Sequence, residues 1–168
     1  MNKAERIWTE YSRLMYSVAR GFFGDTPDAE DAVSDAVERI LKNLDRFDEV
    51  PSPRARALCA IITKNICRDL LRRKKKLPEI SAAEEESEEA AVPSAEDAWF
   101  SAATVEGARR CIALLPDDYA DILRLRLTVE LEPREIAKVL GISDENARVR
   151  LYRARNALLK LMKEEGLL

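Results

Sequence analysis

The chain has 168 residues, of which 46% are apolar and 35% charged, with five glycines and a net charge of −3. This length fits one ordinary domain or two small ones, and the low content of glycine and aromatic residues argues against a β-sandwich or barrel. This composition favours helices, so we expect an all-α protein. Histidine, the commonest general base and metal ligand, is absent from the sequence, and we therefore expect no metal or cofactor.

The three cysteines, Cys59, Cys67 and Cys111, form no C-x-x-C pair and fall inside apolar patterns. They are expected to be buried thiols in a reducing compartment. No apolar run approaches the ~20 residues that span a bilayer, and the opening sequence MNKAERIWTEYS lacks the apolar core of a signal peptide. We therefore expect a cytoplasmic protein without membrane insertion.

Two amphipathic helices are predicted at the start of the chain. Apolar residues recur with helical spacing from Ile7 to Phe22, and Gly24 stops the pattern. Thr26 is predicted as the N-cap of a second helix with Pro27 at its first position. The buried face of this second helix is predicted to hold Ala29, Ala32, Val33, Ala36, Val37, Ile40, Leu41 and Leu44.

A loop and a third helix follow. The stretch DRFDEVPSP, residues 45–53, contains two prolines and is predicted as a loop. A third helix is expected from about Arg54 to Lys76. It carries a basic stripe made of Lys64, Arg68, Arg72, Arg73, Lys74, Lys75 and Lys76. Such a stripe suits a phosphate backbone, although a solvated helix end would look the same.

The middle of the chain is acidic. Residues 77–98 hold eight of the 31 acidic residues and none of the 28 basic ones, so the rest of the chain has an excess of five positive charges. This segment lacks a continuous apolar face and is predicted to be a flexible linker. The sequence therefore predicts two helical domains, residues 1–76 and 99–168.

The second domain is predicted to contain a helix-turn-helix. It opens with a helix from Trp99 to Leu115 and a helix capped by Asp117 or Asp118. Residues 134–140 then form a short helix, and a turn at residue 141 leads to a final helix. The residues that carry this last prediction are Gly141 as the left-handed turn residue and Ser143 as the N-cap.

The final helix, residues 143–162, has a predicted core stripe at Ala147, Leu151, Ala154 and Leu158. Its other faces carry the residues predicted to bind DNA, namely Asn146, Arg148, Val149, Arg150, Tyr152, Arg153 and Arg155. Arginine can grip phosphates or guanine edges, asparagine can pair with adenine, and valine can meet a thymine methyl. Basic residues can also serve only the helix dipole, but Arg148 and Arg153 lie in the N-terminal half, where that explanation fails.

The sequence resembles the sigma factors of bacterial RNA polymerase, extracytoplasmic-function group, in three stretches that occur in the family's order. These stretches are DAEDAVSDAVERILKNLDRFD (28–48), ITKNICRDLLRRKKK (62–76) and LPDDYADILRLRLTVELEPREIAKVLGISDENARVRLYRARNALLKLM (115–162). A helix-turn-helix alone would be weak evidence, since many repressors carry one. The resemblance implies a promoter-specificity subunit without catalytic chemistry of its own.

By this resemblance, the second helix docks on the clamp helices of the polymerase's largest subunit through Asp28, Glu30, Asp31 and Asp35. Asp31 and Asp35 lie four residues apart, where like charges repel, so a basic partner would relieve the repulsion. A plain solvated face is the alternative. The family also implies a contact with the flap of the second-largest subunit, an anti-sigma protein as regulator, and a monomer when free.

The resemblance assigns two promoter elements to the two domains. The loop at residues 45–53 and the third helix would hold the melted strand of the −10 element through Lys64, Asn65, Arg68, Arg72 and Arg73. Asn65 could hydrogen-bond an extruded base or be a satisfied polar residue beside the core. The last helix would read the −35 element with Arg148 and Arg153, while Arg150, Tyr152 and Arg155 position the DNA backbone.

The chain departs from the family at several positions. Leu58 and Ile61 stand where the family often has an aromatic residue and an arginine, so stacking on bases is not expected there. Glu132 replaces a usual Ser or Thr cap, and the pair Glu145-Asn146 replaces a common Gly-Thr. We expect these changes to alter the preferred promoter sequence and leave the fold intact.

Two other functions fit part of the sequence. A dimeric operator-binding regulator would use the helix-turn-helix but would leave residues 28–48 without a purpose. A metal-dependent nuclease would hold Mg²⁺ with carboxylates, but no second acidic cluster clearly converges on the first. The carboxylates in question are Asp25, Asp28, Glu30, Asp31 and Asp35.

Overall fold

A computed structural model describes residues 1–74 and 102–167. The described residues contain seven α-helices, one short 3-10 helix and no strand, which confirms the all-α prediction. They belong to two compact units; the first three helices form the first unit and the last four supply most of the second. The predicted linker, residues 77–98, lies outside the described residues.

Three helices that all contact one another make the first unit. They are α1 (Lys3–Phe23), α2 (Pro27–Lys42) and α3 (Pro53–Lys74), with a 3-10 turn at Leu44–Arg46. This order and these limits agree with the predicted helices to within a few residues. The predicted loop at residues 45–53 therefore includes one short helical turn before α3 begins.

Local backbone chemistry sets the ends of α1. Asn2 accepts a hydrogen bond from the Glu5 backbone N–H, and the Glu5 side chain accepts one from the Asn2 N–H, which completes a capping box. Gly24 ends the helix with φ +67°. This conformation is unfavourable for a residue that has a Cβ atom, and glycine adopts it readily. The buried residues of α1 are Ile7, Tyr11, Met15 and Ala19.

Helix α2 follows the predicted pattern with two exceptions. Thr26 occupies the N-cap position, but its hydroxyl donates to the Phe23 carbonyl oxygen (3.0 Å) and does not cap the helix. Leu41 was expected in the core, yet it is 49% exposed because it lies about 80–100° around α2 from Val33 and Ile40, beyond the edge of the buried face. The stripe that is buried is made of small and branched residues, which allows close packing of α2.

Helix α3 supplies the centre of the first core. Leu58 and Ile61 are 1% and 3% exposed, so they pack in the interior and are not available to stack on bases, as expected. Cys59 and Cys67 are buried free thiols, in agreement with the sequence prediction. Burial raises the pKa of Cys59 to about 12 and that of Cys67 to about 11, which keeps both protonated at neutral pH.

The second unit contains four helices. They are α4 (Ala102–Ile112), α5 (Asp117–Leu127), α6 (Pro133–Leu140) and α7 (Asp144–Glu164). Helix α7 contacts both α4 and α5. Its buried Ala147, Leu151, Ala154 and Leu158 are the predicted core stripe.

Caps and turns in the second unit depart from the prediction at α5. The residue at its N-cap is Pro116, so Asp117 and Asp118 lie in the first turn and favour the helix through its dipole. Before α6, the Glu132 N–H donates to the Glu135 side chain (2.9 Å). Gly141 has φ +69°, which confirms the predicted left-handed turn that joins α6 to α7.

Candidate nucleic-acid and partner interfaces

The carboxylates of α2 do not form one surface. Asp31 and Asp35 are exposed and lie one helical turn apart. Glu30 is also exposed, but it follows Asp28 by two residues, about 200° around the helix, and therefore faces another direction. Of the four predicted contacts, Asp28, Asp31 and Asp35 share a side of α2.

Asp28 already has a partner inside the first unit. Its Oδ2 atom contacts the Lys74 Nζ atom at the end of α3. Both side chains are partly exposed, so the pair contributes little to stability, but it places a predicted polymerase contact beside the predicted DNA-binding stripe. Asp31 and Asp35 are therefore the better candidates for a partner protein.

The basic stripe of α3 is graded in exposure. Arg73 is exposed, whereas Lys64, Arg68 and Arg72 are partly exposed. The Arg72 Nη1 atom lies 3.5 Å from the Asp69 Oδ1 atom. Asn65, predicted to meet a base, lies on α3 and is also partly exposed. Lys75 and Lys76 lie outside the described residues.

The loop before α3 is anchored by contacts that the sequence did not reveal. The Tyr11 hydroxyl donates to the Ser52 carbonyl oxygen (3.1 Å) and accepts from the Ser52 N–H (3.0 Å). The Ser52 Oγ atom accepts from the Ala55 N–H (3.0 Å) and donates to the Glu49 carbonyl oxygen (2.9 Å). Ser52 thus caps α3 while Tyr11 fixes the loop to α1. A serine followed by proline is a recognisable helix start that could have predicted this cap.

An open cavity of about 340 Å³ lies beside this anchored loop. That volume falls within the range of small-ligand pockets. The side chain of Phe47 is 1% exposed and packs in the core, which attaches the loop to the rest of the first unit. The residues that line the cavity are Arg46, Phe47, Asp48, Glu49, Ser52, Arg54 and Ala55. The concave surface therefore combines positively and negatively charged side chains with hydrogen-bonding groups of the backbone.

Helix α7 begins with a well-formed N-terminal turn. The Ser143 Oγ atom accepts a hydrogen bond from the Asn146 N–H (3.0 Å), which confirms Ser143 as the N-cap. Arg148 is exposed, and Arg150, Tyr152 and Arg153 are partly exposed. These four side chains remain accessible on the helix that follows the left-handed turn.

Three predicted DNA contacts on α7 are buried. Asn146 is 7% exposed, and its Oδ1 atom accepts a hydrogen bond from the Arg150 Nε atom (2.9 Å). Arg155 is 9% exposed because it lies beside the core residues Leu151 and Leu158 on the helix. Val149, expected on the outer face, is 1% exposed, so the prediction of its exposure is wrong. Burial of an apolar side chain is favourable, and a prediction with a single core stripe counts too few buried positions on α7.

A buried carboxylate in α5 was also missed by the sequence interpretation. Asp121 is 3% exposed, and its Oδ1 atom lies 3.3 Å from the Arg124 Nη1 atom. The spacing of three residues was a visible signal for this pair. The pair therefore places a charged group in the interior of the second unit.

The described residues offer neither a metal site nor a membrane span. Within residues 1–74 and 102–167, no cluster of three or more His, Cys, Asp or Glu side chains could hold a metal ion. In the same part of the chain, none of the helices combines the length and apolar character needed to cross a bilayer.

Comparison with known proteins matches both halves of the chain. Residues 7–77 match the family described as Sigma-70 region 2, and residues 106–158 match Sigma-70, region 4. The ECF RNA polymerase sigma factor SigW of Bacillus subtilis (strain 168) is 28% identical over 162 residues, which cover 92% of this chain and 86% of that protein.

One of the solved structures that match covers most of the chain. It is the sigma factor RpoE in complex with the anti-sigma factor NepR from Bartonella quintana, at 16% identity, with 93% of this chain and 94% of that chain covered. The TM-score of 0.36 is too low to establish a common overall fold. The two regional matches and the relative agree with the order of motifs in the sequence. The chain belongs to the extracytoplasmic-function group of the sigma-70 family and is a sigma factor, which binds core RNA polymerase and promoter DNA in transcription initiation.

Proposed function

We propose that the two units divide the work of promoter recognition. The first unit binds core polymerase through α2 and holds the melted −10 strand with α3 and its preceding loop, and the second unit reads the −35 duplex with α7. The observation that carries this proposal is the separation of exposed charge. Asp31 and Asp35 are exposed on α2, whereas Arg148 is exposed on α7 just after the Gly141 turn.

The polymerase contact is supported by the pairing pattern on α2. Asp28 is engaged by Lys74, while Asp31 and Asp35 lie exposed on the same side of the helix. Two like charges one turn apart destabilise an isolated helix by a few tenths of a kcal/mol, and a basic partner relieves this repulsion. We propose the clamp helices of the largest subunit as that partner.

The −10 role is supported by the cavity beside α3. A nucleotide taken out of the stack needs a concave pocket with hydrogen-bonding groups and nearby positive charge for its phosphates. The loop cavity supplies the first requirement, and Arg46 and Arg54 in its lining supply the second. The basic stripe continues away from the cavity along α3, with Arg73 about 28 Å from Arg54 at 1.5 Å per residue, and would hold phosphates farther along the strand. Duplex opening would then follow from tighter binding of the unpaired strand, without catalysis of a chemical step.

The −35 role is supported by the position of the arginines on α7. A recognition helix contacts base edges with residues of its N-terminal part. Arg148 and Arg153 lie there, and we assign them base contacts, with Arg150 and Tyr152 on the backbone. The buried Arg155 is retained only as a support of the helix. Arg contacts to guanine are each worth about 1–3 kcal/mol of discrimination.

Further partners are proposed from the family alone. They are the flap of the second-largest polymerase subunit and an anti-sigma protein that binds the free chain. The free chain is also proposed to be a monomer. We propose that it is cytoplasmic, because its polymerase and DNA partners are in the cytoplasm.

The test is run-off transcription with purified core polymerase on genomic fragments. Arg148→Ala with Arg153→Ala should lower initiation at least tenfold, since two base contacts of about 1–3 kcal/mol are lost. A matched control is Lys160→Ala with Lys163→Ala, which removes two exposed positive charges from the far end of the same helix. Equal loss of initiation in both pairs would contradict the assignment of −35 reading to the N-terminal part of α7.

A further inference from the structure

Asn146 makes two hydrogen bonds that fix it within α7. Its backbone N–H donates to the Ser143 Oγ atom (3.0 Å), and its Oδ1 atom accepts from the Arg150 Nε atom (2.9 Å). The residue is buried at 7% exposure. A chain of contacts therefore runs from the helix cap through Asn146 to the guanidinium group of Arg150.

This arrangement limits the conformations of Arg150. An arginine side chain has about 2 kcal/mol of rotamer entropy, and its planar group can point in many directions when nothing holds it. A hydrogen bond to Nε fixes the plane, because Nε lies within the rigid guanidinium group. Asn146 and Arg150 are four residues apart, so the contact forms along one face of α7.

The same arrangement makes Asn146 a poor reader of adenine. That recognition needs the side-chain oxygen to accept from the base and the side-chain nitrogen to donate to it. The oxygen of Asn146 is already engaged by Arg150, and the residue is buried. The pair Glu145-Asn146 also replaces the common Gly-Thr of the family, so this contact is a feature of the present chain.

We propose that Asn146 is a positioning residue that orients Arg150 against the backbone of the −35 duplex and contacts no base itself. The inference rests on the proposed function, since it needs α7 to lie on duplex DNA. A simpler alternative is that the pair only stabilises the helix, as many pairs at this spacing do, by about 0.2–0.5 kcal/mol. A second alternative is direct base reading by Asn146.

A double-mutant cycle separates these possibilities. The probe is a duplex whose −35 sequence is selected from a randomised pool by polymerase holding the wild-type chain. Binding is measured for full-length chains in holoenzyme, with Asn146→Leu and Arg150→Ala alone and together. Leucine has the same branched arrangement of side-chain heavy atoms as asparagine and lacks the acceptor, and Asn146→Ala serves as a second variant if Asn146→Leu does not fold. Asn156→Ala is the matched control, an exposed asparagine on the same helix.

The expected result is a loss of duplex affinity that depends on Arg150. Freeing one long side chain costs binding about 2- to 12-fold, so Asn146→Leu should weaken binding by that factor and Asn156→Ala should not. In the Arg150→Ala background, Asn146→Leu should have no further effect. The slope of log K against log salt should fall by about 0.9 for Arg150→Ala, because a phosphate contact is lost, and should stay unchanged for Asn146→Leu.

Three outcomes would overturn the proposal. An effect of Asn146→Leu that persists without Arg150 would assign the residue to helix stability alone. A changed base preference at one −35 position would assign it to direct reading, and wild-type binding by Asn146→Leu and Asn146→Ala would remove any role. Failure of the proposed function itself is recognised separately, since Arg148→Ala with Arg153→Ala would then leave duplex binding intact.

Discussion

Replacement of Tyr11 by phenylalanine tests whether the loop before α3 is held from α1. The Tyr11 hydroxyl makes two hydrogen bonds to the backbone of Ser52, at 3.1 and 3.0 Å. Each such bond contributes about 0.5–1.5 kcal/mol net, so Tyr11→Phe should lower the free energy of unfolding by about 1–3 kcal/mol. The ring itself stays in place and leaves no cavity. The loss should therefore come from the hydroxyl alone.

The assay is urea unfolding of the full chain followed by far-UV circular dichroism, with Tyr16→Phe as the control. The described contacts of Tyr16 involve its ring, which meets Trp8 edge-on and lies under the Arg20 guanidinium. Its substitution should change stability by less than about 0.5 kcal/mol. Because Ser52 lines the loop cavity, Tyr11→Phe should also reduce permanganate reactivity of unpaired thymines in the −10 region, at full core binding. Equal stability of the two variants would refute the anchoring role of Tyr11.

Three further predictions concern single side chains. Burial raises the Cys59 pKa to about 12 from an ordinary 9.0, so at a pH between these values the thiol loses its proton when the chain unfolds. The free energy of unfolding should therefore fall by about 1.4 kcal/mol per pH unit above pH 9. Urea unfolding of Cys59→Ala should show a flatter decline with pH, and an identical slope would contradict the burial of this thiol. Asp121→Ala should cost about 1–3 kcal/mol in urea unfolding by leaving Arg124 without its buried partner, clearly more than Asp118→Ala at an exposed site of the same helix. Arg73→Ala should reduce the salt slope for binding a single-stranded −10 oligonucleotide to holoenzyme by about 0.7, and an unchanged slope would place Arg73 away from the strand.

Signals within a few residues predicted the helices of this chain well. Gly24 and Gly141 end their helices with positive φ, and Ser143 caps α7, because each of these effects depends on the residue's own backbone and nearest neighbours. The periodic apolar residues located the core faces for the same reason. Leu41 was misplaced because periodicity does not show where the width of a buried face ends.

Contacts between distant residues could not be predicted in this way. Tyr11 and Ser52 are 41 residues apart, and Lys74 and Asp28 are 46 apart, so no local pattern relates them. The contact of Asn146 with Arg150 spans only four residues and had a visible signal in its spacing, but an asparagine at the start of a recognition helix was interpreted as a base reader. The exact roles of accessible side chains depend on the DNA and the polymerase, which the chain alone does not contain.

The affinity of the free chain for core polymerase, measured without DNA, tests the division of labour most directly. Asp31→Lys with Asp35→Lys should weaken core binding at least tenfold, because it replaces two attractive charge pairs with repulsive ones. Glu10→Lys with Glu164→Lys makes the same change in net charge at two other exposed carboxylates and should bind core as the wild type does. Arg148→Ala with Arg153→Ala should also bind core normally. The proposed division of labour would be contradicted if all three pairs weakened core binding equally, or if none of them weakened it.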